Sequence, residues 1–502
     1  MEIALPRRRW AVVRRLVGAQ GLLWPPFTAA IVTIAALRLL CGKAVDPDYW
    51  WHLAAGRWML DHGRVPHVDP FSITHGGQSW VAHEWLAELA FAAANRLGGY
   101  ALALALTVLM LGAGCALLWQ AARLYGATRR SATTGVAIAF FYIAVAVAVR
   151  PQVWVFVLLL ALLHELAAHD AGARRRLWHL PLLFVLAINL NLLALAGGLM
   201  LALYAVHRTV VWLRAGGAAR AEERARLRHV LMVGALSALA LNVNPRGPAL
   251  FLFVLRYIQP HALRLRYIQE WEPLPFSGYD AALYLGGAAL LAFTLFGMMR
   301  RRTLWPGVLA LAFAVPAARS GRYMPLFGIS AALAYVWLAA GMRSAATAEE
   351  ETPRTRHLGA LSIAAGLIAA LALLRFAPGQ FRRVPDATRG GYPVAAAAWL
   401  RDDLPGARLF NEYNWGGYLD DALYPRPNVF IDGREEMYGD ALFGTYIATM
   451  AARAGWEQTL AAWRVDAVIV KPHSPLARAL AGDPGWHKAF ADTTAVIYVP
   501  AR

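Results

Sequence analysis

Cysteine is scarce. The chain of 502 residues has two, Cys41 and Cys115, each within or at the end of an apolar segment, so a disulfide framework is excluded although parts of the chain are expected in an oxidising compartment. Charge is thin as well. Only 16% of residues are charged against 59% hydrophobic, and the mean hydropathy is +0.43, which lies outside the balance of soluble globular proteins. Lysine is nearly missing, and with heavy Ala use this Arg-carried basicity suggests a GC-rich bacterial genome. Neither GxxxxGK(S/T) nor GxGxxG occurs, so nucleotide binding has no motif, and "HEWLA" lacks the second His of HExxH, which argues against zincin chemistry.

What is present is a series of long apolar runs. A crossing takes roughly 17 to 25 apolar residues, and about eleven such spans are expected: 25–42, 100–122, 132–149, 152–168, 178–194, 196–213, 228–244, 280–299, 304–318, 323–342 and 358–376. Within 178–213, "INLNLLALAGG" suits a re-entrant hairpin as well as a tight loop between spans. The net charge of +18 sits in short Arg clusters between apolar segments, which are topology signals rather than a nucleic-acid face. Clusters at 7–15, 129–130, 174–176, 214–228, 300–302 and 353–356 all agree with a cytoplasmic N-terminus. The first run precedes a span without a small-residue cleavage site and reads as a retained anchor. An odd number of crossings then sends the chain beyond about residue 377 outside, at the bacterial cytoplasmic (inner) membrane.

Three non-cytoplasmic stretches exceed mere connectors: 43–99, 245–279 and 377 onward. In the first, "YWWHLAAGRWMLDHG" and "AHEWLAELAFAAANRLGG" have the spacing of two helices lying in the interface and flanking a loop as a lid. From 377 the pattern changes. "ARLFNEY", "NVFIDGR", "DAVIVKP" and "AVIYVP" predict strands with helices between them, a small external α/β domain. Gly416 and Gly417 predict a tight turn after its first strand.

The first loop also gathers acids. Asp46, Asp48, Asp69 and Glu84 supply carboxylates for base or acid work, and carboxylates near His suit a divalent metal such as Mg or Mn. Asp48, followed directly by three aromatics, is the leading base or metal ligand, with Glu84 and Glu270 of "IQEWEP" as further metal ligands. Asp46 and Asp69 each precede Pro and equally fit turn starts. Against the positive-inside trend, Arg150, Arg319 and Arg322 fall in outer turns; planar guanidinium groups there suit a lipid phosphate, with snorkelling to headgroups as the alternative. Trp415 and Tyr418 of "NWGGYL" offer rings to stack on an acceptor sugar or to fill the domain's own core.

Together these residues carry a resemblance. The chain is similar to membrane glycosyltransferases of the GT-C class, and "DPDYWWHLAAGRWMLDHG" resembles the first-loop motif of the oligosaccharyltransferase catalytic subunit. On that match Asp48 takes the key acidic position and Asp69 a later one. "YNWGGYLDD", then "VFIDGR" and "RVDAVIVKP", is similar in order to that subunit's WWDYG segment and following strands, without its acid. The resemblance implies transfer of a sugar or glycan from a polyprenyl-phosphate-linked donor to a glycan, lipid or protein acceptor at the outer membrane face. A lipid-linked glycan flippase and a non-catalytic envelope assembly protein are the other two classes compatible with this composition.

Overall fold

A computed structural model describes residues 45–174, 176–257, 272–301, 305–341 and 391–501, with four isolated positions between 32 and 36. The expected span at 358–376, nearly all of that at 25–42, Glu270 and the boundary at 376/377 lie outside the described residues. In chain order the first part holds α1 (Pro47–His62), α2 (Trp85–Leu124), α3 (Arg129–Ile143), α4 (Pro151–Asp170), α5 (Leu180–Leu190) and α6 (Ala194–Arg214). It continues with α7 (Gly217–Ala240), α8 (Ala249–Tyr257), α9 (Gly278–Arg301), α10 (Gly307–Arg319) and α11 (Met324–Gly341).

Nine of the expected spans correspond to these helices. Among the described residues five helices are long and apolar enough to cross a membrane, namely α2, α4, α6, α9 and the stretch Gly321–Gly341. The expected count of about eleven is not confirmed among the described residues. Helices α5 and α10 are apolar but short, α3 gives way at Ala144 to a 3-10 turn, and α7 opens on the charged "RAEERARLRH". The stretch 178–213 forms two helices joined at Asn191–Leu193.

Helix α2 is one run broken at Gly98 and Gly99, the latter at φ 66°. The break separates the first-loop segment 85–97 from the crossing, where the sequence sets the boundary. The lid expectation needs correction. Helix α1 is packed on both sides, with Tyr49, Trp51, His52 and Leu53 buried, between α2 and a helix of the C-terminal part. Gly56 permits this closeness, because a Cβ there would collide with the Glu88 carbonyl of α2.

Residues 391–501 hold α12 (Val394–Asp403), β1 (Leu409–Asn411), α13 (Tyr413–Ala422), α14 (Glu435–Met450), α15 (Trp456–Ala462), β2 (Ala467–Val470), α16 (Pro475–Gly482), β3 (Trp486–Ala491) and β4 (Val496–Pro500). The sheet runs β1-β2-β4-β3, parallel between β1 and β2 and antiparallel elsewhere. Two local expectations fail here. "NVFIDGR" is no sheet strand; it is an extended segment paired with the first loop, where Val429 N–H donates to the Phe71 carbonyl at 3.3 Å and Ile73 N–H to the Val429 carbonyl at 2.8 Å. Gly416 and Gly417 lie inside α13 rather than in a turn. They serve close approach: a Cβ on Gly416 would strike the Ile431 carbonyl, and one on Gly417 would lie 3.0 Å from Trp51 N.

Candidate active site

Asp46 and Asp48 owe their positions to the start of α1. Asp46 caps the helix, accepting from Asp48 N–H at 3.0 Å, and Pro47 occupies the first turn. Arg150 closes on both acids from the non-helical stretch before α4. Its Nε is 2.8 Å from Asp46 Oδ1 and its Nη2 is 3.0 Å from Asp48 Oδ2. Trp51 Nε1 donates to Asp48 Oδ1 at 3.3 Å, and Gly433 of the C-terminal part lies so close that a Cβ there would come 2.5 Å from that same oxygen. Asp48 nevertheless keeps 30% of its side chain exposed.

Beside this cluster opens a cavity of about 890 Å³ whose lining includes the polar residues Asp46, His83, Arg150, Arg319 and Arg322. The rest of its wall is mostly apolar, including Val147, Leu193, Val254, Phe313 and Leu326. The three arginines expected on the outer side thus share one cavity. Arg150 divides its guanidinium between that cavity and the two acids.

Asp69 belongs elsewhere. Its side chain is fully buried, as is that of Arg434, whose Nη1 is 2.8 Å from Asp69 Oδ1. Phe71 N–H donates to Oδ1 at 3.0 Å and Ser72 N–H to Oδ2 at 3.1 Å. Burial pushes the Asp69 carboxyl up, but the Arg434 charge and the hydrogen bonds outweigh it and hold the group below the usual range. The expectation of an accessible catalytic acid at Asp69 is corrected, since every nearby donor is already spent on fixing the loop. Arg434 continues to Asp432, Nη2 to Oδ2 at 2.5 Å, and Tyr438 O–H donates to the same oxygen at 2.6 Å. Asp420 lies next to Asp432, and burial first, then the Asp432 charge, pushes it well above the carboxylate range. Both of its buried oxygens lack a hydrogen-bond partner.

Glu84 is buried and accepts from Asn191 Nδ2. It faces His52 rather than Asp48, with Oε2 3.9 Å from His52 Nε2, while His52 Nδ1 is 3.5 Å from Glu88 Oε1. Burial, then the charges of Arg150 and His83, hold the His52 pKa well below its ordinary value, so the imidazole is neutral. His52, Glu84 and Glu88 bring one ligand atom each within 4.8 Å of one another and could hold a metal ion. Of the expected ligands Asp48, Glu84 and Glu270, Glu84 is in this group, Asp48 is held instead by Arg150 and Trp51, and Glu270 lies outside the described residues. Glu88 escaped the sequence reading, although its place four residues after Glu84 puts both on one helix face.

Trp415 and Tyr418 are 3% and 8% exposed. Trp415 Nε1 donates to the Gly391 carbonyl at 3.0 Å, and Tyr418 packs against Trp50 and Tyr392 at ring distances of 5.2 and 5.1 Å. They are core, and the acceptor-stacking expectation is corrected: α13 lies against α1, whose Trp50 packs on Tyr418, and Trp415 is buried beside Gly391.

This arrangement of apolar helices, an acid at the head of a first-loop helix and a docked α/β part defines a polytopic membrane protein with the GT-C fold. Three solved structures are similar over nearly the whole chain. The Archaeoglobus fulgidus oligosaccharyltransferase, tethered with an acceptor peptide containing the NVT sequon, matches at TM-score 0.51 and 12% identity, covering 96% of this chain and 74% of that one. The mycobacterial arabinofuranosyltransferase AftD matches at 0.55 and 16%, covering 100% of this chain but 42% of that one. ArnT from Cupriavidus metallidurans, bound to undecaprenyl phosphate, matches at 0.50 and 16%, covering 98% of both. By sequence alone no family model and no curated protein matches.

Proposed function

We propose that the chain is a glycosyltransferase that moves a sugar or glycan from a polyprenyl-phosphate-linked donor to a glycan, lipid or protein acceptor. The observation that carries this reading is the single cavity whose mostly apolar lining also includes Arg150, Arg319 and Arg322, beside an acid held at a helix start. An isoprenoid tail suits the apolar wall and its phosphate the guanidinium groups. Asp48 is the base that takes the acceptor proton, and Arg150 screens it until a phosphate competes for the same guanidinium. Binding of undecaprenyl phosphate and an acceptor peptide by proteins of this fold supports donor and acceptor of these kinds. The basic clusters support a bacterial inner membrane with the C-terminal part on the outer face.

The test uses the full chain in lipid nanodiscs with polyprenyl-phosphate sugars extracted from bacterial membranes. Asp48→Asn is expected to bind undecaprenyl phosphate as the wild type does and to lose transfer by a factor of about a hundred to ten thousand, the usual contribution of a general base. Transfer retained in Asp48→Asn, or translocation of the lipid-linked glycan without any transfer, overturns the reading.

A further inference from the structure

Three buried side chains from two helices meet. His52 stands one turn after Asp48 on α1, Glu84 at the head of α2 and Glu88 in its first turn, with exposures of 2%, 7% and 1%. Two of their polar atoms, His52 Nδ1 and Glu88 Oε2, are buried with no hydrogen-bond partner. Buried polar atoms are rarely left so. The closeness of the two helices is itself built in, because Gly56 leaves no room for a Cβ against the Glu88 carbonyl.

We propose that His52, Glu84 and Glu88 bind a divalent transition-metal ion of the zinc class, with His83 Nε2 as the fourth donor on the cavity side. One donor atom each from His52, Glu84 and Glu88 lies within 4.8 Å of the others. His52 meets the two carboxylates through different ring nitrogens, Nδ1 at 3.5 Å from Glu88 and Nε2 at 3.9 Å from Glu84, of which one would ligate, so binding would draw the side chains in toward the separation of about 3.3 Å between donors in a tetrahedral zinc site; Glu84 is also 3.9 Å from His83 Nε2. His83 is prepared for this role. Its Nδ1 lies 3.2 Å from the Val81 carbonyl, so that nitrogen carries the proton and Nε2 keeps its lone pair. His83 and Asn191 also line the large cavity, which supplies an entry path.

Imidazole donors in a dry site favour zinc, cobalt or iron over the magnesium or manganese expected from the sequence, since magnesium holds on to several waters. The ion's work is positional. It would clamp α1 to α2 and so set Asp48, one turn away, against Arg150. This site goes beyond the transfer reading, and its test does not depend on transfer.

The full chain, purified in detergent and stripped with a chelator, is titrated with Zn²⁺, Co²⁺ and Mg²⁺. Expected are one Zn²⁺ or Co²⁺ per chain by elemental analysis, a visible Co²⁺ spectrum of low coordination number, and a higher melting temperature on Zn²⁺ addition. The near-isosteric His52→Gln and Glu88→Gln are each expected to lower affinity by more than about a hundredfold, more than loss of an outer-shell partner costs, and to lose the Zn²⁺ shift in melting. Circular dichroism of each variant checks its fold. No uptake of Zn²⁺ or Co²⁺ by the wild type, uptake of Mg²⁺ in preference to both, or wild-type affinity in both variants overturns the proposal.

Discussion

Arg434 and Asp69 meet at 2.8 Å with neither side chain exposed, although 365 residues separate them. The pair ties the first loop to the C-terminal part, and the Arg434 guanidinium also lies 4.6 Å from the Trp80 ring and 5.0 Å from that of Phe71. Breaking a buried pair by removing one charge costs about 3–5 kcal/mol. Arg434 keeps Asp432 as a second partner, so Asp69→Asn is expected at the lower end, about 3 kcal/mol. Thermal unfolding together with limited proteolysis checks this: residues 391–501 should become cleavable below the temperature at which the helices unfold. Unchanged protection would show that the backbone pairing at Val429 suffices to hold the joint.

The two glycines of α13 make a graded prediction. A methyl on Gly416 meets the Ile431 backbone and Asp432, whereas one on Gly417 meets Trp51 and Pro47 at 3.0 Å and beyond. Gly416→Ala should cost more than Gly417→Ala, with the milder variant near the 1–3 kcal/mol usual for overpacking. Equal melting temperatures for the two variants would contradict the close-approach account.

Much of the fold is legible in the sequence, for physical reasons that particular residues show. Lipid demands long apolar runs, so α2, α4, α6 and α9 stand out. Arg150, Arg319 and Arg322 stand out because they breach a charge rule, and they do share a cavity. "NWGGYL" misleads because a glycine pair reads as backbone freedom, whereas its use here is the absence of a side chain against Ile431 and Trp51. The charges at 432 and 434 look like an ordinary loop, since Asp69, the further partner of Arg434, lies in a distant segment. Trp415 and Tyr418 fail as sugar platforms because nothing in the local sequence tells that both will be buried.

Acid and alkali should both weaken the joint, through different groups. Asp69 has a lowered folded pKa, so the stability it contributes is present above its ordinary value of 3.8 and is lost as pH falls through the lowered value. Asp420 has a raised folded pKa, from burial first and the Asp432 charge second. Its contribution is therefore fully present below 3.8 and declines as pH rises through the raised value. Asp420→Asn keeps the shape but cannot ionise. Its melting temperature should fall less than that of the wild type as pH is raised. A wild-type alkaline slope in Asp420→Asn would assign the titration to another group.

Arg150 and Arg322 line the same cavity but differ in what else they hold, and that difference separates binding from chemistry. Arg150 bridges Asp46 and Asp48 at 2.8 and 3.0 Å. On the transfer reading, Arg322→Ala removes one charge-assisted contact to the donor phosphate, worth about 1.5–3 kcal/mol, and so weakens undecaprenyl phosphate binding about ten- to a hundredfold with kcat little changed. Arg150→Ala should weaken binding similarly and also lower kcat, because Asp46 and Asp48 would repel one another at the head of α1 and Asp48 would lose its fixed direction. Arg150→Lys restores charge without the planar fork that reaches two carboxylates, so it should recover binding better than kcat. Measuring the dissociation constant and kcat for the three variants decides the matter. Equal losses of kcat in Arg150→Ala and Arg322→Ala would remove any special link between Arg150 and Asp48, and unchanged binding in both would leave the arginines as headgroup anchors.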